Sequence, residues 1–221
     1  LVAKYNSSGV LQWDKTLGGT GYDSGYNVAV DSSDNIIVCG RNTSSILLVA
    51  KYNSSGTLIW DKTLDSGGTE RGYGVTIDSS DNIIVCGYTN YAGKTKSLVA
   101  KYNSSGVLQW DKTLGDSTTT DVNTFYGVTV DSRNNVIVCG YTESIGAGSR
   151  DLIVAKLPPD GTGDGTYGTL VYQDASLTSA DAVLTDAAAV LTSANAALTS
   201  YAPSLTSADA VLTSELFPIP A

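Results

Sequence analysis

Apolar and polar residues alternate in three short stretches, "YNVAVD" (26–31), "YGVTID" (73–78) and "YGVTVD" (126–131), which places Tyr, Val and Val or Ile on one face. A period of two is that of a β-strand. After a polar hinge such as "DSSDN", each stretch leads into a nearly continuous apolar run: "NIIVCG" at 35–40 and 82–87, "NVIVCG" at 135–140. Such a run suits a strand covered on both faces. Two more apolar segments, "LLVAKY" (47–52) and "LIWDKTL" (58–64), are joined by "NSSG". Asn, Asp, Ser and Gly supply the local hydrogen bonds and positive φ angles of tight hairpins.

The four segments recur as a unit. "VLQWDKTLG" stands at 10–18 and again at 107–115, with "TLIWDKTLD" at 57–65 between them. Val2, Val49, Val99 and Val154 mark successive copies at spacings of 47, 50 and 55, and Trp13, Trp60 and Trp110 keep the same beat. A period near 50 predicts a repeat array. Four hairpin-linked strands with apolar residues on both faces describe a β-propeller blade, whose faces are covered by neighbouring blades. A β-solenoid is the other repeat architecture, but its coils are shorter. The predicted fold class is therefore all-β, with antiparallel four-stranded propeller blades over residues 1–172. First-and-second strand pairs occur three times and third-and-fourth pairs four times, about three and a half blades. A closed propeller has roughly four to eight. The chain opens in mid-blade without Met, so further blades are expected upstream of Leu1, or symmetric copies complete the ring.

Residues 173–221 follow another rule. Leu177, Leu184, Leu191, Leu198, Leu205 and Leu212 are seven apart, with Ala or Tyr at the fourth place of the first five heptads (Ala180, Ala187, Ala194, Tyr201 and Ala208). A strict heptad predicts a helical coiled coil, and a broad Leu/Ala/Val face suits a homo-oligomer such as a trimer. Pro203 interrupts that helix, and the flanking positions lack complementary charges. Short helices packed on a partner, each started by a "TS" cap, or a disordered linker are the alternatives.

Charge narrows the partners. The net charge is −9: 13 basic and 15 acidic residues up to Lys156, then seven acidic and none basic. No basic stripe exists to neutralise nucleic-acid phosphates. No apolar run approaches the roughly 20 residues of a membrane span. His and Met are absent.

The chemistry-bearing residues each have a structural reading beside a functional one. Trp13, Trp60 and Trp110 are able to stack on sugars, but identical placement in every unit is what packing between blades produces. Cys39, Cys86 and Cys139 occupy one equivalent position inside an apolar run and read as buried free thiols. "DSSDN" superficially resembles a cation loop, yet it lacks the later bidentate carboxylate and the Gly at the bend, so it reads as a plain hairpin. The "NSS" and "NTS" sequons at Asn6, Asn42, Asn53 and Asn103 are good turns in their own right. For catalysis there is no His base, no nucleophile elbow and no imidazole beside a Cys. Every repeated Asp sits at a turn or in "WDK". No cofactor or metal is expected, and the reading is non-enzymatic.

"VAKYNSSGVLQWDKTLGG" and "VAVDSSDNIIVCG" resemble the bacterial and phage β-propeller repeat family named for its seven-bladed propellers. The resemblance covers residues 1–156. At 157–172 the chain departs from it: Tyr167 stands for Trp and Pro158–Pro159 for Tyr-Asn, as in a degenerate last blade or an exit connection. The resemblance implies an extracellular or virion-surface module without catalytic residues. One expectation is a structural protein of a phage virion appendage, fibre or surface assembly, partnered by other structural proteins. The alternative is a secreted or cell-surface adhesin that binds glycans through the variable loops 41–47, 65–72, 89–97, 115–125 and 142–151, with Tyr91 and Arg150 as contacts.

Overall fold

The computed structural model describes residues 1–116, 122–146, 149–167, 170–175, 177–182 and 184–188, and among the described residues the chain is antiparallel β with no helix. Strands β1 (Val2–Tyr5) and β2 (Leu11–Gly18) form a hairpin, the remnant of a first blade. The second blade is β3 (Ser24–Val30), β4 (Ile36–Arg41), β5 (Leu47–Tyr52) and β6 (Leu58–Asp65). The third is β7 (Thr69–Ile77), β8 (Ile83–Tyr91), β9 (Lys94–Tyr102) and β10 (Leu108–Asp116). In both, each strand pairs with its sequence neighbour, as hairpin links require. The fourth blade has three strands, β11 (Asn123–Val130), β12 (Val136–Thr142) and β13 (Asp151–Leu157).

Alternation along each central strand divides the core between two seams. Ile37 and Cys39 turn toward the third blade, where they meet Val75, Ile83, Val85 and Leu98. Ile36 and Val38, one residue out of phase, turn back toward Val2, Trp13 and Leu17 of the first hairpin. The third blade repeats this, with Ile84 and Cys86 facing Phe125, Val136 and Val138 of the fourth. The period-two reading thus places the core residues of both faces, and the blades stack face to face in sequence order.

Three features depart from the sequence reading. Cys139 is exposed, unlike Cys39 and Cys86. It lies on the outward face of the fourth blade, beside Leu152 (81 % exposed) and Val154 (61 %), where no further blade follows among the described residues. The segment after β13 makes no fourth strand. Instead β14 (Gly165–Tyr167) pairs with β15 (Leu170–Asp174), and β15 returns to the outer edge of the third blade against β10. The departure at 157–172 is therefore an exit connection.

The tail is the third correction. Where a helix is expected from residue 173, the chain makes strands: β15 through Asp174, then β16 (Thr178–Asp181) on β6, then β17 (Thr185–Ala188) on β2. Leu177 packs into the core between the second and third blades rather than presenting a face to another chain. Leu184 is half-buried near Gly19. Unpaired outer strands gain backbone hydrogen bonds from these segments, and a helix would leave those groups open. The heptad positions Leu191, Leu198, Leu205 and Leu212 lie outside the described residues.

Candidate functional site: seams and a tyrosine–arginine arc

The repeated polar residues go into turns and seams. In each first hairpin the Asp at its head folds back on its own loop. Asp31 Oδ1 accepts the N–H groups of Ser33 and Asn35 at 2.9 Å, and Asp31 Oδ2 meets Lys51 Nζ at 2.8 Å. Asp78 and Lys101 repeat the pair at 2.8 Å, and Asp131 and Lys156 at 2.7 Å. Burial alone would raise the Asp31 carboxyl, but the Lys51 ammonium and the Asn35 and Ser33 donors outweigh it and hold it at about 2. The same partners keep Asp78 low against its burial, and Lys156 is the main cause for Asp131. These carboxylate oxygens are spoken for, and no group of three or more His, Cys, Asp or Glu is placed to hold a metal among the described residues.

The tryptophans lie in the seams. Trp13 Nε1 donates to the Ser54 carbonyl at 3.0 Å, Trp60 to Ser104 at 3.3 Å and Trp110 to Pro159 at 3.3 Å, each in the outer turn of the next unit. Lys51 and Lys101 reach the Ser104 and Pro159 carbonyls as well, at 3.2 and 3.1 Å. The indole face lies flat on the turn glycine. A Cβ on Gly56, Gly106 or Gly161 would come within 2.7, 2.9 or 2.7 Å of Trp13, Trp60 or Trp110, and all three glycines have positive φ. "PPDG" at 158–161 thus keeps the docking turn while the strand after it is lost.

A second cluster lies at the inner strands. The register of β3 on β4 skips between Gly25 and Asn27, that of β7 on β8 between Gly72 and Gly74, and that of β11 on β12 between Phe125 and Gly127. The extra residue in each bulge is Tyr26, Tyr73 or Tyr126. A bulge re-aims its side chain, and here it turns three tyrosines toward one another. Ring centres are 5.3 Å apart for Tyr26–Tyr73 and 5.1 Å for Tyr73–Tyr126, with Tyr88 5.9 Å from Tyr73 and Tyr141 5.9 Å from Tyr126. Three of the chain's four arginines join them. Arg41 Nε donates to the Tyr26 hydroxyl at 3.2 Å, Arg71 lies 5.9 Å over Tyr88, and Arg150 lies 4.4 Å over Tyr141. Burial raises the Tyr88 and Tyr126 phenols, so these rings stay neutral and keep their hydroxyls as donors at physiological pH. The result is an arc of aromatic rings, exposed at Tyr26 and Tyr126 and half-buried at Tyr73, Tyr88 and Tyr141, flanked by guanidinium groups. Aromatic faces stack on sugar rings and guanidinium pairs with carboxylate or phosphate.

Sequence reasoning placed these tyrosines on the strand face with Val and so missed the arc. The available signal was the Gly after each Cys. A Cβ on Gly40, Gly87 or Gly140 would lie 1.8, 1.7 or 1.9 Å from the carbonyl oxygen of Ser24, Arg71 or Thr124, the close approach that the bulge imposes.

Tyr91 and Arg150 are not brought together. Tyr91 is exposed beside the tight Ala92–Gly93 turn of the β8–β9 hairpin, while Arg150 holds Glu143 at 2.8 Å and joins the arc through Tyr141. Loop 65–72 is largely strand, fastened by the fully buried Glu70, which accepts from the Ser66 and Thr89 hydroxyls. Burial raises the Glu70 carboxyl.

Comparison with curated proteins finds no match. Residues 79–108 and 134–167 match the model of a family described as a β-propeller domain of unknown function (DUF5122). Both matches begin in a first hairpin and run past an outer docking turn, so they cover equivalent parts of the third and fourth blades. Over these two stretches the chain is similar to that β-propeller family.

Proposed function

We propose that the chain is a non-enzymatic propeller scaffold of a phage virion appendage, fibre or surface assembly. The observation that carries this reading is where the recurring residues go. Trp, Lys, the turn Asp, the docking Gly and two of the three Cys, Cys39 and Cys86, are used between or within blades, so the near-copies serve packing. The propeller works as a rigid body that holds neighbouring structural proteins. The test is the protein content of purified virions from the strain that carries the gene. Peptides of this chain at fixed stoichiometry, with antibody labelling on an appendage, are expected. A chain absent from particles and found on the cell surface or in the medium overturns the proposal.

One observation favours a second reading, a surface adhesin: the tyrosine–arginine arc. Its rings, exposed at Tyr126 and half-buried at Tyr73, and its guanidinium groups fit an acidic saccharide, stacked on Tyr126 beside Tyr73 and paired with Arg71 or Arg150. A glycan array probed with the full chain tests it. Binding confined to acidic glycans and lost on Tyr126→Ala or Arg150→Ala supports this reading, and a blank array rejects it.

A further inference from the structure

The seven-residue spacing of the tail has a counterpart in the sheets. Strands β15, β16 and β17 pair with β10, β6 and β2, so the chain visits the outer edges of the third, second and first blades in that backward order. Its register repeats. Val171 lies opposite Gly115, Thr178 opposite Asp65 and Thr185 opposite Gly18, the same place in three units. Asp174, Asp181 and Ala188 lie opposite Lys112, Lys62 and Lys15. Each residue thus follows its counterpart by seven. The crossing repeats too: Ala175 N–H donates to the Asp111 carbonyl at 3.2 Å, and Ala182 N–H to the equivalent Asp61 carbonyl at 3.5 Å. Lys112 holds Asp174 at 2.6 Å, and Lys62 pairs with Asp181. Leu170 belongs to the same beat, seven before Leu177, and both are packed into seams between blades.

One heptad is therefore one blade: four residues paired to an outer edge and three that cross to the next. Fully extended, seven residues reach at most ~25 Å. We propose that the tail from Leu170 to Ala188 is a belt, in which each heptad carries one docking code for the outer edge of a "WDKTL" strand. Residues 205–211, "LTSADAV", are identical in sequence to 177–183, and 191–194 repeats the "LTSA" of 177–180.

If the heptads carry one docking code, they are interchangeable in steps of seven. The test uses the full chain with Cys139→Ser. Thr16→Cys with Ala187→Cys, which are register partners, is expected to form an intramolecular disulfide. Deleting residues 184–190 slides the next heptad into place, so Thr16→Cys should then crosslink with Ala194→Cys to the same extent. Deleting only 185–189 should abolish that crosslink. A length-preserving variant, with 184–190 rewritten as "LTSANAA", covers the case in which the deletion fails to fold and is expected to keep the Thr16–Ala187 crosslink. Failure of the full-length pair to crosslink, failure of the rewritten heptad to dock, or crosslinks only between chains as in a trimeric stalk would each overturn the belt.

Discussion

Lys51 is 5 % exposed, and its charge is matched inside the blade by Asp31. Replacing Asp31 by Asn leaves that ammonium buried without its counter-charge, which typically costs about 3–5 kcal/mol. Chemical denaturation of Asp31→Asn at neutral pH should show a loss of that order. The sign with pH follows from the depressed carboxyl. Its folded value of about 2 lies below its ordinary 3.8, so the pair's stabilisation is present above roughly pH 4 and disappears as the pH falls toward 2. The difference between wild type and Asp31→Asn should shrink over that window. The half-buried Asp61 and the buried Asp111 and Glu70 are raised, act in the opposite sense and are common to both proteins, so the comparison removes them. The thiols give a second prediction at this scale. Burial pushes Cys39 up to about 12 and raises Cys86 as well, while Cys139 is exposed. A thiol reagent added to the native chain should label Cys139 alone, and all three only after unfolding. Rapid labelling of Cys39 would mean that the seam between the second and third blades opens.

At the scale of elements, the two hairpin types solve positive φ differently. In the first hairpins it falls on Asp34, Asp81 and Asn134, which tolerate it. Asp81 and Asn134 then use their side chains to hold the neighbouring turn, at the Ser32 and Ser79 N–H groups at 2.9 and 3.1 Å. In the outer hairpins it falls on glycine, and at Gly56, Gly106 and Gly161 an indole also lies where a side chain would start. Gly106→Ala and Gly9→Ala separate these causes. Both residues have positive φ, but a Cβ at Gly106 lies 2.9 Å from Trp60, whereas nothing lies within 4 Å of Gly9. Thermal or urea unfolding should show Gly106→Ala less stable than Gly9→Ala by about 1–3 kcal/mol, the usual cost of overpacking. Equal losses would mean that the indole moves aside freely. These hairpins and the core strands were legible because a buried strand writes its period into the sequence. The opening of the tail, as far as Ala188, was misread because seven is also the period of a coiled coil. Leu170 within "LVYQD" was the clue, since a strand-like run already keeps the beat. The tyrosine arc was illegible by period, because a bulge changes which way one residue points without changing the letters around it. Only the Gly opposite each bulge records it.

For the whole molecule, stability should follow how many faces each blade has covered. The third blade is enclosed by the second and the fourth, and Ile83, Ile84, Val85, Leu98 and Ala100 are sealed from solvent. The ends differ. Beside the first hairpin lies an open cavity of about 580 Å³, lined by Val2, Trp13, Val28, Val30 and Val38 among others. Val28 is 57 % exposed there, while its counterpart Val75 is buried against the second blade. At the other end Leu152 and Val154 face outward. A repeat array opens from uncovered ends, since a terminal unit loses one interface and an inner unit two. Amide hydrogen exchange read by mass spectrometry should therefore be slowest in β8 and β9. It should be faster in β1–β2 and β11–β13 by at least about tenfold, the factor given by ~1.4 kcal/mol. The gradient also reports on the ring. In an isolated arc, Cys139 labelling and fast exchange in β12–β13 rise together, because both need the outward face of the fourth blade to be bare. Uniform slow exchange with a silent Cys139 would mean that another blade or a second copy covers that face. The same lipophilic residues that look misplaced at the two ends would then be seam residues like those of the third blade.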